Sequence, residues 1–530
     1  MQDIIDKFKL RNQLKTLDEA KILYATIERF CSPKINLGIE SIKDSKGNII
    51  HEGLSNLGMG YVFEELIRKF NEENNEEAGE HFTPREIISL MTHLVFLPIK
   101  NEIKEGTYLI YDNACGSGGM LTEAKKSITD KNGVIQSKAQ IHLYGQESNQ
   151  ETYAICKADM MIKEENPDDI KYGSTLSDDK LGDLTFDFML TNPPYGKSWG
   201  IEQKKLGVEK GTCKDERFSV GITNSDDGQM MFLLNMLSKM KNNSKLGSRI
   251  ASVHNGSSLF NSNSGQVAIR KHIIEQDYLE AIIALPTDMF YNTGIPTFIW
   301  IITNKKPKHK QGKVQLINAT NQAFYQKMKK SLGKKQNEMT QEHIHRITDL
   351  FLGFKGEKYT QNIRQNNNPK DCLIFDNDDF GYAKITIEKP KSIESLLSNE
   401  KFLALKDKDI ILNKLKTLES RPQDFTSRDD FLAFLGVKLS KTQVNLIIDS
   451  DKNTNTEKIP LKTDIQSYYN TEVKPYVSNS WIDWESKSIG YEILFNKYFY
   501  TYTPPRPLES IDKELRDLEQ EVQDLLREIL

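Results

Sequence analysis

The chain has 530 residues, of which 28% are charged and 38% hydrophobic, and a formal net charge of −4. Its length predicts two or three domains rather than one core, and the lack of any apolar run of about eighteen residues argues against a membrane span. A protein that held duplex DNA by phosphate neutralisation alone would be basic, so any nucleic-acid surface here is local or supplied by a partner.

Met1 to Asp6 offer neither a basic region nor an apolar core, so no secretory signal is expected. Residues 1–77 read as an N-terminal helical domain with a core of its own, since 19–28 and 57–70 place apolar side chains at helical spacing. A helix start follows, with Thr83 as cap, Pro84 in the first turn and Glu86 as the acid of a capping box. Capping does not account for Gly79, His81 and Phe82 just before it.

A strand at 107–111 runs into Asp112-Asn113-Ala114-Cys115-Gly116-Ser117-Gly118-Gly119. The glycines permit a tight turn and close backbone approach at a helix N-terminus. A dinucleotide loop fits less well, because Leu121 stands where that spacing wants its third glycine. Cys115 reads as a packed small hydrophobe. The five cysteines (Cys31, Cys115, Cys156, Cys213 and Cys372) form no Cys-x-x-Cys pair. That predicts a reducing cytoplasm and disfavours a disulfide scaffold or a thiolate zinc site. A second strand at 141–145 closes on Glu147, either an acid placed for two ribose hydroxyls or a surface glutamate. A helix at 153–161 and Ser174 follow.

The apolar strand at 186–190 leads into Thr191-Asn192-Pro193-Pro194-Tyr195-Gly196. Proline ends the sheet ladder and drives the residue before it to extended geometry. The product is a stiff loop at the carboxyl end of a strand, where open α/β sheets place their chemistry. Asn192 offers an amide carbonyl, the rigid backbone a second carbonyl and Tyr195 a flat ring. That set suits a planar amine-bearing ring; a plain strand exit with two prolines is the alternative. Residues 197–221 form a polar, lysine-bearing loop that either closes over substrate or is disordered. A methionine-rich core helix at 229–240 and strands at 249–253 and 279–285, with a helix at 269–274 between them, come next. A returning strand at 297–302 completes an antiparallel pair.

From Met289 through Asn337 there are ten lysines and no acid. One cluster spans 305–313 (Lys305, Lys306, Lys308, Lys310, Lys313) and another 327–335. Phosphate contact is the functional reading, positioning a duplex without reading its sequence; a solvated basic face is the alternative. Residues 389–480 are mixed and polar. At the end, Leu508, Ile511, Leu515, Leu518, Val522, Leu525 and Ile529 recur at spacings of 3 and 4, a heptad seam flanked mainly by acids. It is short for a free helix, so it is expected to dock on a partner's helix or on this chain's own C-terminal region.

These motifs together resemble those of S-adenosylmethionine-dependent DNA adenine methyltransferases. Their order is similar to that in modification subunits of type I restriction–modification systems, from about Gly79 to Leu530. Asn113 departs from a proline common in that cofactor loop, while segments 375–388, 489–500 and 504–508 resemble the closing segments. The resemblance implies an α/β fold, a Rossmann-like methyltransferase sheet over 78–388. It is preceded by the N-terminal helical domain and followed by a mixed, mostly helical region (389–503) and a heptad-patterned helix (504–530). It implies methyl transfer to the exocyclic N6 amine of adenine in double-stranded DNA, flipped out of its stack. Asn192, Pro193, Pro194 and Tyr195 would be catalytic. Phe82, Thr83 and Pro84 would lie along the methionine part of the cofactor. Asp112, Ala114, Gly116, Ser117, Gly118, Gly119, Glu147 and Ser174 would hold the rest, with no metal required. Phe290 or Tyr291 would be a second aromatic beside the flipped base. The implied partners are a specificity subunit flanked by two modification subunits, and a restriction translocase subunit. A methyltransferase acting on RNA or protein amines, and a non-catalytic assembly subunit, are the alternatives.

Overall fold

The computed structural model describes residues 2–7, 9–32, 34–54, 62, 83–291, 293–359, 371–451, 454–500 and 507–529. The expected helix at 57–70, together with Gly79, His81 and Phe82, lies outside the described residues. Among those described, no helix is long and apolar enough to cross a membrane.

Among the described residues, ten strands form one mixed sheet. In chain order they are β1 (Thr107–Asp112), β2 (Gln140–Glu147), β3 (Ile170–Tyr172), β4 (Phe188–Thr191), β5 (Arg249–Asn255), β6 (Leu279–Ala284), β7 (Thr297–Thr303), β8 (Lys313–Asn318), β9 (Glu357–Lys358) and β10 (Cys372–Asp376). Across the sheet they run β3-β2-β1-β4-β5-β7-β6-β8-β10-β9. β1 to β5 are mutually parallel, and β7 runs antiparallel between β5 and β6, as the returning strand predicted. The chain works outward from β1 to β3, then restarts at β4 on β1's other side. That reversal opens a crevice beyond the carboxyl ends of β1 and β4.

Helices cover both faces. β7 shows why: Ile299 and Ile301 enter one apolar core, and Phe298, Trp300 and Ile302 the other. Successive side chains of a strand point to opposite faces, so a strand buried on both reads as a continuous apolar run. The first core takes in α1 (Arg85–Phe96), α2 (Gly119–Thr129) and α3 (Gln150–Ile162). The second takes in α4 (Gln229–Ser238) and α5 (Ser264–Glu275), where Met230, Met231 and Met236 fill the core.

The N-terminal segment forms helices Leu10–Glu19 and Leu23–Phe30, breaking the expected 19–28 helix at 20–22. Among the residues up to 54 whose burial is described, none is buried. Helix Gln2–Lys7 instead meets α3, where the Gln150 side chain donates to the Lys7 carbonyl at 3.0 Å. Beyond the sheet, β11 (Gly381–Pro390) is the centre of a second sheet. It pairs antiparallel with β12 (Ile448–Asp449), β13 (Thr456–Pro460) and β14 (Trp481–Tyr491). Short helices pack on it around Phe402, Leu415 and Phe431. Segment 375–388 is thus divided between β10, the strand next to the sheet's edge, and β11. The heptad seam lies on α6 (Leu508–Ile529).

Candidate functional site

β1 delivers Asp112 to the crevice floor, and its Oδ1 joins two loops. It accepts from the Ala114 N–H at 3.0 Å and from the Thr191 hydroxyl, at the end of β4, at 2.7 Å. Burial pushes the Asp112 carboxyl up to about 7, against the lowering effect of these two donors. Gly116 (φ +54°) and Gly118 (φ +85°) take the left-handed turn that only glycine adopts cheaply. A Cβ at Gly118 would stand 2.7 Å from Met160 Cε and 2.8 Å from Cys156 Sγ. Gly118 therefore seals the loop against α3 rather than facing the crevice. Glu147, ending β2, accepts the Gly116 N–H at 3.0 Å on Oε2 and the Asn149 N–H at 2.7 Å on Oε1. Each oxygen retains capacity for a further donor. The Cys115 thiol is buried and pushed up by its contact with Cys156 and by burial, which leaves it inert.

One cleft is lined by Thr83, Asp112, Ala114, Gly116, Ser117, Gly119, Glu147, Ser174, Asn192 and Pro194. Asn192 Oδ1 is buried there with no hydrogen-bond partner. Pro84 and Pro193 are buried behind this wall. Tyr195 is half-buried against the first core, and burial pushes its phenol well above the ordinary value.

Several expectations need correction. α1 begins at Arg85, with Pro84 as an extended cap and no side-chain cap bond, so Thr83 lies one residue too early to cap it. Glu86, expected in a capping box, is bonded to Lys335 instead. Phe290 is 1% exposed within the core and presents no ring face to a base, leaving Tyr291 as the partly exposed one. Lys306 is buried on Asp277 (2.6 Å), and Lys310 is buried on Glu280 (2.9 Å), which also accepts from Arg249 at 2.5 Å. Burial alone would raise Glu280, yet these cations hold it below the ordinary carboxylate value. Lys306 and Lys310 thus neutralise the partly exposed Asp277 and the buried Glu280, and cannot reach a phosphate.

The sequence reading missed the opposite wall. Loop 197–221 is folded, with helix Gly200–Lys205 and a turn at Glu216–Phe218. Trp199, also on the cleft, is buried and donates to the Asn224 carbonyl at 2.7 Å. A Cβ on Gly228 would meet its indole at 3.0 Å. Arg217 donates to the carbonyls of Thr175 and Leu176, both at 2.9 Å, and pairs with Asp179 at 3.0 Å. It therefore pins the segment that follows Ser174. The Thr175 hydroxyl donates to the Asn113 carbonyl at 2.5 Å, and Asn113 Nδ2 donates to the Phe232 carbonyl and to Asn235 Oδ1. Side-chain hydrogen bonds thus stiffen this turn without a proline. A lone tryptophan in a polar stretch was the available signal.

The type I restriction enzyme MjaIX methylase subunit of Methanocaldococcus jannaschii is 28% identical over 357 residues, covering 66% of this chain and 56% of that protein. The HindI methylase subunit of Haemophilus influenzae is 30% identical over 276 residues, covering 52% and 56%. The chain thus spans just over half the length of these relatives. Among solved structures, the type I restriction-modification system methyltransferase subunit of Streptococcus thermophilus matches with a TM-score of 0.46 at 24% identity, over 57% of this chain and 58% of that one. The N-6 DNA methylase model matches residues 55–370, more than half of the sequence, and the chain belongs to that family.

Proposed function

We propose that this chain transfers a methyl group from S-adenosylmethionine to the N6 amine of adenine in double-stranded DNA, as the modification subunit of a type I restriction–modification complex. The observation that carries the reading is Asn192 Oδ1, a buried acceptor without a donor on the wall of the cleft. An unsatisfied buried acceptor costs about 1–3 kcal/mol, a cost that an arriving N–H donor would remove. The cleft also suits the cofactor: a glycine turn at a helix N-terminus, and a Glu147 carboxylate with lone pairs to spare for ribose hydroxyls. S-adenosylmethionine, when bound, supplies an electrophilic methyl on a sulfonium. Asn192 Oδ1 and the Pro193 carbonyl accept the two amine N–H bonds, drawing the nitrogen toward tetrahedral geometry and aiming its lone pair. Fixing that alignment supplies much of the catalysis. The target adenine must leave its stack, and Tyr195 offers a ring to receive it.

The reading places the enzyme in the cytoplasm beside a specificity subunit, flanked by two copies of this chain, and a restriction translocase subunit. The seam of α6 supports a helical partner: Leu508, Leu515, Leu518, Val522 and Leu525 are each more than half exposed. Weak or no activity is expected of the isolated chain. The test is adenine-methylation mapping of host DNA with and without this chain and its neighbouring genes. A single N6-methylated motif lost on deletion is expected, and an unchanged methylation map would refute the proposal.

A further inference from the structure

The two lysine clusters lie at opposite ends of the sheet. β7 runs antiparallel to β5, so its last residue, Thr303, stands opposite Arg249, the first residue of β5. Lys305 and Lys308 follow Thr303 and therefore sit at the amino edge, roughly 20 Å of strand from the crevice. The second cluster lies on a hairpin, Gln326–Leu332 with Lys335–Glu338. The Lys334 N–H donates to the Tyr291 carbonyl at 3.0 Å, and those of Gln336 and Asn337 to the Asp288 carbonyl at 2.9 and 3.1 Å. These acceptors follow the carboxyl end of β6, the end that carries Asn192 and the glycine turn. Lys335 completes the root. Its buried ammonium bonds Glu86 in the first turn of α1, the Asn337 carbonyl at 2.6 Å and the Met289 carbonyl at 3.2 Å. Thr83 and Ile88, on either side of Glu86, line the cleft. A buried lysine thus fixes the hairpin to the cleft wall.

The hairpin holds five lysines and one acid, Glu338, whose carboxylate accepts from Gln326 at 2.8 Å. Lys327, Lys329, Lys330 and Lys334 are exposed, and none pairs with a carboxylate among the described residues. Crowded like charges repel one another, and a polyanion relieves that repulsion. We propose, resting on the DNA reading above, that this hairpin grips the phosphate backbone beside the extruded adenine, and that the 305–313 cluster does not.

The test is fluorescence anisotropy of a labelled duplex with the assembled complex carrying the full chain, at about 50–200 mM salt. One variant combines Lys327→Gln, Lys329→Gln, Lys330→Gln and Lys334→Gln; the control combines Lys305→Gln and Lys308→Gln. Each lost phosphate contact removes about 0.9 from the slope of log affinity against log salt, so the hairpin variant should lose up to about 3.6. It should bind at least about tenfold more weakly at the lowest salt. Its S-adenosylmethionine affinity should match wild type by calorimetry, and the control should bind DNA as wild type does. Wild-type affinity and slope in the hairpin variant, or an equal loss in the control, overturns the proposal. An assembled wild-type complex that binds S-adenosylmethionine but no duplex at any salt would instead refute the substrate reading, and this proposal with it.

Discussion

Replacing Asp112 with asparagine should change how stability responds to pH. Burial lifts the Asp112 carboxyl from 3.8 to about 7 in the folded chain. The folded state thus holds this proton more tightly than the unfolded chain does. Its contribution to stability is complete below about pH 4 and is lost as pH rises through about 7. A shift of about 3 units corresponds to roughly 4 kcal/mol at 1.36 kcal/mol per unit, an upper limit because a buried site relaxes. Asparagine keeps an acceptor for the Thr191 hydroxyl and the Ala114 N–H but never ionises. The variant should therefore gain on wild type by up to that amount between about pH 4 and 8. His254 works in the opposite sense: burial lowers its imidazole to about 3, so its contribution is present above 6.5 and fades as pH falls toward 3. In wild type the two slopes offset one another, and Asp112→Asn exposes that of His254. Urea midpoints read by tryptophan fluorescence, without cofactor, measure both curves. A pH-independent difference between them would refute the assignment of a raised carboxyl to Asp112.

Other variants separate neighbouring roles. Gly118→Ala, with no room against Met160 and Cys156 and a left-handed φ, should cost about 1–3 kcal/mol and weaken cofactor binding at least about tenfold. Gly119→Ala meets nothing within 4 Å and should stay within about 0.5 kcal/mol of wild type. Phe290→Ala should lose about 3–5 kcal/mol in denaturant melts as a core truncation. Tyr291→Ala should leave stability near wild type and act only on the fluorescence of a 2-aminopurine placed at the target base. Arg217→Ala should raise the S-adenosylmethionine Kd about tenfold by calorimetry. Arg217→Lys should not restore it, because an ammonium lacks the planar fork that reaches both the Thr175 and Leu176 carbonyls.

The central strands were legible because burial on both faces leaves continuous apolar runs, and because the glycine turn and the double proline mark where β1 and β4 end. The walls contributed by Asp112, Gly116 and Asn192 follow from those two ends, and that of Glu147 from the end of β2. What escaped notice depends on distant partners. Nothing local to Lys306 or Lys310 reveals Asp277 or Glu280, about thirty residues upstream, so a run of lysines reads the same buried or solvated. Phe290 and Tyr291 are equivalent as aromatics, and only the turn after β6 decides which one faces the core. Trp199 reaches the cleft, and Arg217 pins the segment after Ser174, from a loop whose polarity hides their packing. The second sheet gathers strands from 381 to 491 across intervening helices, a long-range pairing with no local pattern.

The account turns on the amide of Asn192 holding the target amine. The most direct measurement is transfer of labelled methyl from S-adenosylmethionine to adenine in a cognate duplex, using the assembled complex with wild-type chain or Asn192→Ala, alongside calorimetry of cofactor binding. The account predicts that Asn192→Ala binds cofactor as wild type does and transfers label at least about a hundredfold more slowly; turnover close to wild type would contradict it.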